Sequence, residues 1–456
     1  MRRFILTAFG GFLLLTYGCV EKMPLPAIIN EDVEFAAGDT TYLLMNPIWD
    51  SNYGFSSPVE ISIALDGHLF IADSAARTVF VLKQDGSMLE DFHDLRSLED
   101  HSGEPFAPID VDVDQKMNIF MIDGSRRVYR WNQLWQQNGI EEVMVGAVFV
   151  NVSSGEEVSV SAGTAEPEEA AEWYIKLHSE EWGMSDEVWS SEQSLIDSLS
   201  KPHLFFDAGV EQTSEKDIYY NSGQSLYSGI SSADGDYIYL TDEAHDRIVR
   251  IDFQQSQLIH LTTGEEVWTH RGVFGQTVVG YGTGAGTVNA PAAIDVDFAG
   301  NIYYAQSGEF FSVHKIRPVS SGGYTTYPSV FQQGSNDIMD LWRFSKPADV
   351  AVDQKQMVYV ANTEADEIQI FKSNGDFFKK AGIVEVTVDT TIWVFSEGDS
   401  VLVDTFLIVE RPGILATPRG VAVDERGIIY VCDTANSRIV RYRLSNSVDE
   451  NVTPDE

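Results

Sequence analysis

One sixteen-residue phrase occurs six times in this chain, and that recurrence limits the possible fold more than any other feature. Near the C-terminus it reads Pro418-Arg-Gly-Val-Ala-Val-Asp-Glu-Arg-Gly-Ile-Ile-Tyr-Val-Cys-Asp433. Laid over the rest of the sequence without gaps, it fits again in windows starting at Pro58, Pro108, Tyr227, Pro291 and Pro347. The fourth position is β-branched in every window: Ile61, Val111, Ile230, Ile294, Val350 and Val421. The thirteenth is aromatic: Phe70, Phe120, Tyr239, Tyr303, Tyr359 and Tyr430. Each window reads as strand, turn, strand. Proline at the first position suits a strand start, where its missing N–H costs nothing. A short β-branched run follows, then polar residues and glycine with hairpin-turn chemistry, as in Asp424-Glu-Arg-Gly427. The closing run, such as Ile428-Ile-Tyr-Val-Cys432, is apolar on both faces, the mark of a strand buried between two sheets. A third strand follows most windows, as in Arg438-Ile-Val-Arg-Tyr442 and Arg247-Ile-Val-Arg-Ile251. Several strands per repeat, repeated six times, predict an all-β, six-bladed β-propeller.

The phrase resembles the NHL repeat, whose usual form is Pro-x-Gly-Val-Ala-Val-Asp, a turn with glycine, and Ile-Tyr-Val-Ala-Asp. The last window, followed by Thr434-Ala-Asn-Ser-Arg-Ile439, shows the likeness best. The resemblance covers six blocks between residues 56 and 445 and implies the propeller fold. It leaves function open, because NHL propellers serve as binding scaffolds, sensor domains and a few enzymes.

The ends of the chain suggest a location. Met1-Arg-Arg and the apolar run from Phe4 to Tyr17 read as an export signal, since the run is too short to span a bilayer. It stops at Thr16-Tyr17-Gly18-Cys19, which resembles a bacterial lipoprotein signal with cleavage before Cys19 and lipid on its thiol. The expected organisation is a signal peptide over residues 1–18, a lipid-anchored tether over 19–32, the propeller over 33–445 and an acidic tail over 446–456. The expected location is the bacterial cell envelope, lipid-anchored to the outer membrane and either periplasmic or surface-exposed. A formal charge of −40 argues against nucleic acid and anionic lipid as partners. Membrane contact is therefore expected through the lipid alone, and the protein is expected to be a monomer. With Cys19 lipidated, Cys432 is the sole thiol and reads as a small core residue.

The last block shows three strands of its own. Residues 40–45 read as a further strand, and pairing them with that block closes the ring and hides an edge. An insertion of residues 134–221 separates blades two and three. Its first part, residues 142–160, reads as a hairpin about Ser153-Ser-Gly-Glu-Glu157. Similar text surrounds Thr262-Thr-Gly-Glu-Glu266 and, more loosely, Glu397-Gly-Asp399. All three are expected to be outer hairpins of their blades. Residues 165–199 read as helical: Thr164 and Ser185 are candidate N-caps, acidic residues fill the first turns, and Trp173, Tyr174, Leu177 and Trp182 share a face. The glycine-rich Tyr281-Gly-Thr-Gly-Ala-Gly286 lacks the following helix that a phosphate-cradling loop requires, and reads as the loop leading into blade four.

The NHL pattern places glycine at the third window position. Gly229 and Gly420 keep it and Ala293 comes close, whereas Glu60, Asp110 and Asp349 depart from it. Asp112 and Asp295 lie two places further along their strands. Should these strands line one channel, the five carboxylates converge at one end of it. Like charges at close range raise one another's pKa unless a cation neutralises them. Ca²⁺ or another hard divalent ion suits such oxygens; neighbouring backbone N–H groups are the alternative partner. The last residue of each window (Asp73, Asp123, Asp242, Gln306, Asn362 or Asp433) precedes turn residues and is expected to accept backbone N–H bonds there.

The resemblance raises two enzymatic comparisons. The NHL lyase acting on α-hydroxyglycine peptides holds zinc with histidines from several blades. Here His68, His245 and His314 share no repeat position, which does not support that arrangement. Gluconolactonase-like propellers hold a divalent ion with channel carboxylates and asparagine, which the acidic channel leaves open. Gly-x-Ser-x-Gly, Cys-x-x-Cys and His-Glu-x-x-His patterns are absent. The leading expectation is a non-catalytic binding or scaffolding module for a protein, peptide or glycan, with no required cofactor. The alternative is a metal-dependent hydrolase or lyase, lactonase-like or hydroxyglycine-lyase-like, working at the channel mouth.

Overall fold

The computed structural model describes residues 41–88, 98–99, 103–132, 147–159, 173–177, 187–189, 202–209, 225–232, 236–260, 266–318, 324–325, 329–331, 334, 337–396 and 399–445. The expected signal peptide, Cys19, the tether and the acidic tail lie outside these residues. Residues 39–384 and 412–456 form one compact unit, and residues 385–411 fall in a second.

The larger unit is a six-bladed propeller. The first half of each window is the innermost strand of a blade: Pro58–Ile63, Asp110–Val113, Tyr227–Ser232, Pro291–Val296, Pro347–Val352 and Pro418–Val423. Each pairs antiparallel with the second half of its own window, and a third strand pairs with that. The inner strands neighbour one another in chain order, and the sixth returns to the first. The aromatic column lies on the second strands, where Phe70, Phe120, Tyr239, Tyr303, Tyr359 and Tyr430 are all buried. A strand covered on both faces by neighbouring blades can be apolar on both faces, which explains the continuous runs of these segments.

The ring is closed by the N-terminal segment. Thr41–Trp49 pairs antiparallel with Arg438–Ser445 as the outermost strand of blade six, with Tyr42 opposite Leu444 and Trp49 opposite Ile439. Trp49 is fully buried, and the Arg441 guanidinium lies 4.3 Å over its ring while donating to the Pro47 carbonyl at 2.8 Å. Pairing the first described strand with the last one covers the outer edge of Arg438–Ser445 and joins the two ends of the ring in one blade.

The insertion departs from expectation in three ways. Trp173–Leu177 and Glu187–Trp189, read above as helical, are strands. They pair with Ala147–Asn151 and Glu157–Ser159 in a four-stranded sheet. The physical reason is the composition of Trp173-Tyr-Ile, aromatic and β-branched, whose spacing fits an extended strand as well as a helix face. Among the described residues there is no α-helix, only three-residue 3-10 turns; Trp182 and both candidate N-caps lie outside them. Second, His203–Asp207 pairs with Arg127–Asn132 as the fourth strand of blade two, so the inserted sheet interrupts that blade instead of following it. Third, the three similar hairpins have different fates. Arg247–His260 and Glu266–Val279 are the outer pair of blade three, as expected. The hairpin at residues 147–159 belongs to the inserted sheet, and Ile383–Ser396 with Asp399–Pro412 forms a two-stranded ribbon of its own.

Candidate functional site: the channel and its carboxylates

The six inner strands enclose a cavity of about 170 Å³. Glu60, Asp110, Asp112, Asp295 and Asp349 all line it, together with Ser62, Ser231 and the β-branched residues of the fourth window position. Asp110 and Asp349 are buried, whereas Glu60, Asp112 and Asp295 keep part of their surface open to the channel. The expected convergence is therefore present, and what the carboxylates do there follows a rule of their own.

An aspartate at the third window position bonds to the backbone N–H at the fourth position of the next blade. Asp110 Oδ2 accepts from Ile230 N at 2.7 Å, and Asp349 Oδ2 accepts from Val421 N at 2.7 Å. An aspartate at the fifth position does the same one step further along. Asp112 Oδ2 accepts from Ser232 N at 2.5 Å and Asp295 Oδ2 from Val352 N at 2.7 Å. The second oxygen of three of them also finds a donor: Val350 N reaches Asp349 Oδ1 and Val296 N reaches Asp295 Oδ1, while Asp112 Oδ1 accepts from the Ser62 hydroxyl of blade one, all at 2.7 Å. These side chains are straps between neighbouring blades. Among the described residues, no three His, Cys, Asp or Glu side chains are grouped so as to hold a metal ion.

Burial governs the electrostatics. It pushes Asp295 up to about 8 and Asp349 up to about 6, with the charge of Asp112 adding to both. Burial also lifts Glu60 and Asp110 well above the ordinary carboxyl range, and Asp349 acts on each in the same sense. The backbone N–H bonds work against these rises without overcoming them. Cys432 lies near Glu60 and Asp349, and burial lifts its thiol well above the usual range, in keeping with a core residue.

Of the residues ending each window, Asp73 and Asp123 hold an N–H of the following turn as expected, whereas Asp242, Asn362 and Asp433 make no such cap bond and, like Gln306, hold the loop that leads into their own window. Asp73 accepts from Ser56 N, Ser57 N and Ala76 N; Asp433 accepts from Ala416 N and the Arg438 guanidinium. Asp242 takes Leu226 N, Asp123 takes Ser125 N, Gln306 takes Asn289 N, and Asn362 takes Ser345 N. The histidines do not meet. His68 pairs with Asp66 in a turn, His245 with Asp242, and buried His314 accepts from Gly286 N at 2.9 Å with its pKa pushed down to about 4 by burial.

Two further sets of bonds were missed in the sequence. At the seventh window position Asp297, Asp353 and Asp424 cap the turn, and each also accepts from a hydroxyl of the aromatic column: Tyr303, Tyr359 and Tyr430. Four residues after a window ends, Asp246 and Asp366 sit in left-handed conformation and accept from Ala290 N and Thr417 N of the next blade. Their signal was the recurrence of Asp at one offset, visible only once several windows are aligned past their ends.

Comparison with known proteins agrees with the repeat. The NHL repeat family matches residues 415–442, which span most of blade six. No curated protein matches the chain. Among solved structures, a gluconolactonase from Xanthomonas campestris is 11% identical, with 91% of this chain and 93% of that one covered and a TM-score of 0.45. Virginiamycin B lyase from Staphylococcus aureus is 11% identical, with 89% and 100% covered and a TM-score of 0.41. An auxiliary nutrient binding protein from Bacteroides thetaiotaomicron is 13% identical, with 89% and 77% covered and a TM-score of 0.44.

Proposed function

We propose that this propeller is a non-catalytic binding module, held at a bacterial envelope by lipid on Cys19, whose ligand is a protein, peptide or glycan. One observation carries the reading: all four channel aspartates are committed to backbone N–H groups of the next blade. A general base or metal ligand needs an oxygen free to face substrate or ion. Exposed apolar side chains occur at both ends, Leu65 and Phe298 lying on the opposite turns, and the set at the end where the inner strands begin is taken as the contact surface. Leu226, Tyr281, Phe310 and Ile414 lie on loops at the end where the inner strands begin, and Tyr281 is 68% exposed. The test is capture from envelope extracts by the lipid-free protein and by a Tyr281→Ala, Phe310→Ala variant. The reading expects a discrete ligand lost in that variant and kept in Phe298→Ala, an exposed aromatic at the opposite end. Turnover of a lactone or peptide by the purified protein, abolished by Asp110→Asn, contradicts it.

A further inference from the structure

The glycine-rich segment leading into blade four rests on a buried histidine. It reads Gly280-Tyr-Gly-Thr-Gly-Ala-Gly286, and a chain so rich in glycine gives up much backbone freedom when it is held in one shape. Its ends are drawn together: Gly282 N donates to the Val288 carbonyl at 2.9 Å and Val288 N to the Gly280 carbonyl at 3.2 Å. Tyr281 faces water, while the far side of the loop turns inward. There Gly286, at φ 84°, donates its N–H to His314 Nδ1 at 2.9 Å, and the Thr287 carbonyl accepts from the Tyr304 hydroxyl at 3.1 Å. His314 lies on the third strand of blade four, Val313–Pro318. It is fully buried and stacks on Tyr304 with ring centres 5.0 Å apart.

Donors meet this ring on both sides. Nδ1 accepts from Gly286 N, so it is the nitrogen without hydrogen in the neutral imidazole. Nε2 faces the Gln306 side-chain Nε2 at 3.0 Å. That amide is fixed in direction, because its Oε1 accepts from Asn289 N and its Nε2 donates to the Phe311 carbonyl, both at 2.9 Å. A second proton on the imidazole goes onto Nδ1 and sets one donor against another. The titratable groups of the surrounding elements do not offset this. Burial keeps the Tyr304 hydroxyl neutral. Lys315, next along the strand and on its other face, lies over the Tyr303 ring, and Glu309 in the preceding turn is exposed. From blade three, Asp246 holds Ala290 N at the end of the loop, while Asp242 binds both His245 and Arg247.

We propose that His314 is an acid-released latch: neutral, it holds the loop at Gly286, and protonated, it lets go, so that the segment bearing Tyr281 opens in mild acid. Burial acts in the required sense, pushing His314 down to about 4, whereas an imidazole freed by opening titrates near about 6.5. The direction of the pH effect follows. A group depressed in the folded state contributes stability that is present above its unfolded value and is lost as pH falls toward its folded value. The closed loop is thus fully held at neutral pH and weakens from about pH 6.5 downward. Between about pH 7 and about pH 5 its open fraction rises about twentyfold. The latch depends on the loop alone, so it stands or falls without the ligand proposed for Tyr281.

The test is amide exchange at Gly286, read as protection relative to an unstructured chain from about pH 7 to about pH 5, in the wild type, His314→Gln and Asp246→Asn. Glutamine offers an oxygen to Gly286 N and gains no proton, and asparagine removes the other titrating side chain that bonds this segment. The proposal expects Gly286 protection to fall about twentyfold across the range in the wild type and in Asp246→Asn, and to stay level in His314→Gln. Protection at Ala305, on the second strand of the same blade, should stay level in all three. Level protection at Gly286 in the wild type overturns the proposal, and so does a parallel fall at Ala305. A fall that survives in His314→Gln, or vanishes in Asp246→Asn, overturns it as well. Should His314→Gln fail to fold, the wild-type curve decides by where it bends. A fall beginning near about pH 6.5 is that of a histidine and supports the latch, whereas one confined below about pH 5 belongs to a carboxyl group and overturns it.

Discussion

Blades five and six meet differently from blades six and one, although the same strand of blade six takes part in both contacts. At the first seam Asp349 reaches across to Val421 N. At the second, Gly420 lets the strands themselves touch, with space for no side chain between its Cα and the backbone of Val59 and Glu60. The seam between blades three and four is of the second kind, since a Cβ on Gly229 would meet the Ala293 Cα at 2.9 Å. Blades two and three, like five and six, are strapped, by Asp110 and Asp112. Both kinds share an additional bond from a hydroxyl to the proline carbonyl that opens the next window: Thr363 to Pro418, Thr434 to Pro58 and Ser228 to Pro291. The difference teaches that one repeat geometry admits two solutions at its narrowest point. A backbone N–H facing the channel is satisfied by a side chain where space remains, and strands pack directly where a glycine removes the obstacle.

Four expected effects break or sharpen that comparison. The largest is loss of the closing strand. Deleting residues 41–49 exposes the outer edge of blade six and removes buried Trp49, so the variant should lose cooperative unfolding; Trp49→Ala alone should cost about 3–5 kcal/mol in urea titration. Next comes Gly420→Ala at a close-packed seam. The new methyl meets backbone atoms that cannot swing away, and about 3 kcal/mol of destabilisation is expected. A harmless alanine at 420 would show that the seam has slack and the two kinds are not distinct. Third, Asp349→Ala leaves two buried N–H groups without their carboxylate and should cost about 2 kcal/mol by the same titration. The smallest is Tyr430→Phe, which removes the hydroxyl bond to Asp424, leaves the ring in the core shared with blade one and should cost about 1 kcal/mol.

Much of this architecture was legible in the sequence. The β-branched and aromatic columns placed all six blades, and the missing fourth strand of the last block pointed to the N-terminal segment that pairs there. The carboxylates were also found, because a departure from glycine at a crowded position stands out. Their partners were not legible. Asp110 and Asp349 bond to main-chain N–H groups, which every non-proline residue possesses, so no residue type at positions 230 or 421 announces the strap. The inserted sheet was missed for a different reason. Trp173-Tyr-Ile-Lys-Leu177 has a spacing compatible with a helix face, and the strands that pair with it lie outside that segment, at Ala147–Asn151 and Glu187–Trp189. Similar hairpin text at 383–412 identified a hairpin correctly but carried no information on which sheet, if any, it would join.

The central claim is that the channel carboxylates hold the blades to one another. Amide hydrogen exchange in Asp110→Ala and Asp349→Ala tests it most directly, with a calcium titration of melting temperature on the same samples. The account predicts that protection falls at the Ile230 amide in the first variant and at the Val421 amide in the second, with neither change crossing to the other seam, and that calcium and chelator leave melting unchanged. Unchanged protection at both amides, together with a calcium-dependent rise in the wild type that the variants lose, would contradict it and assign these carboxylates to an ion.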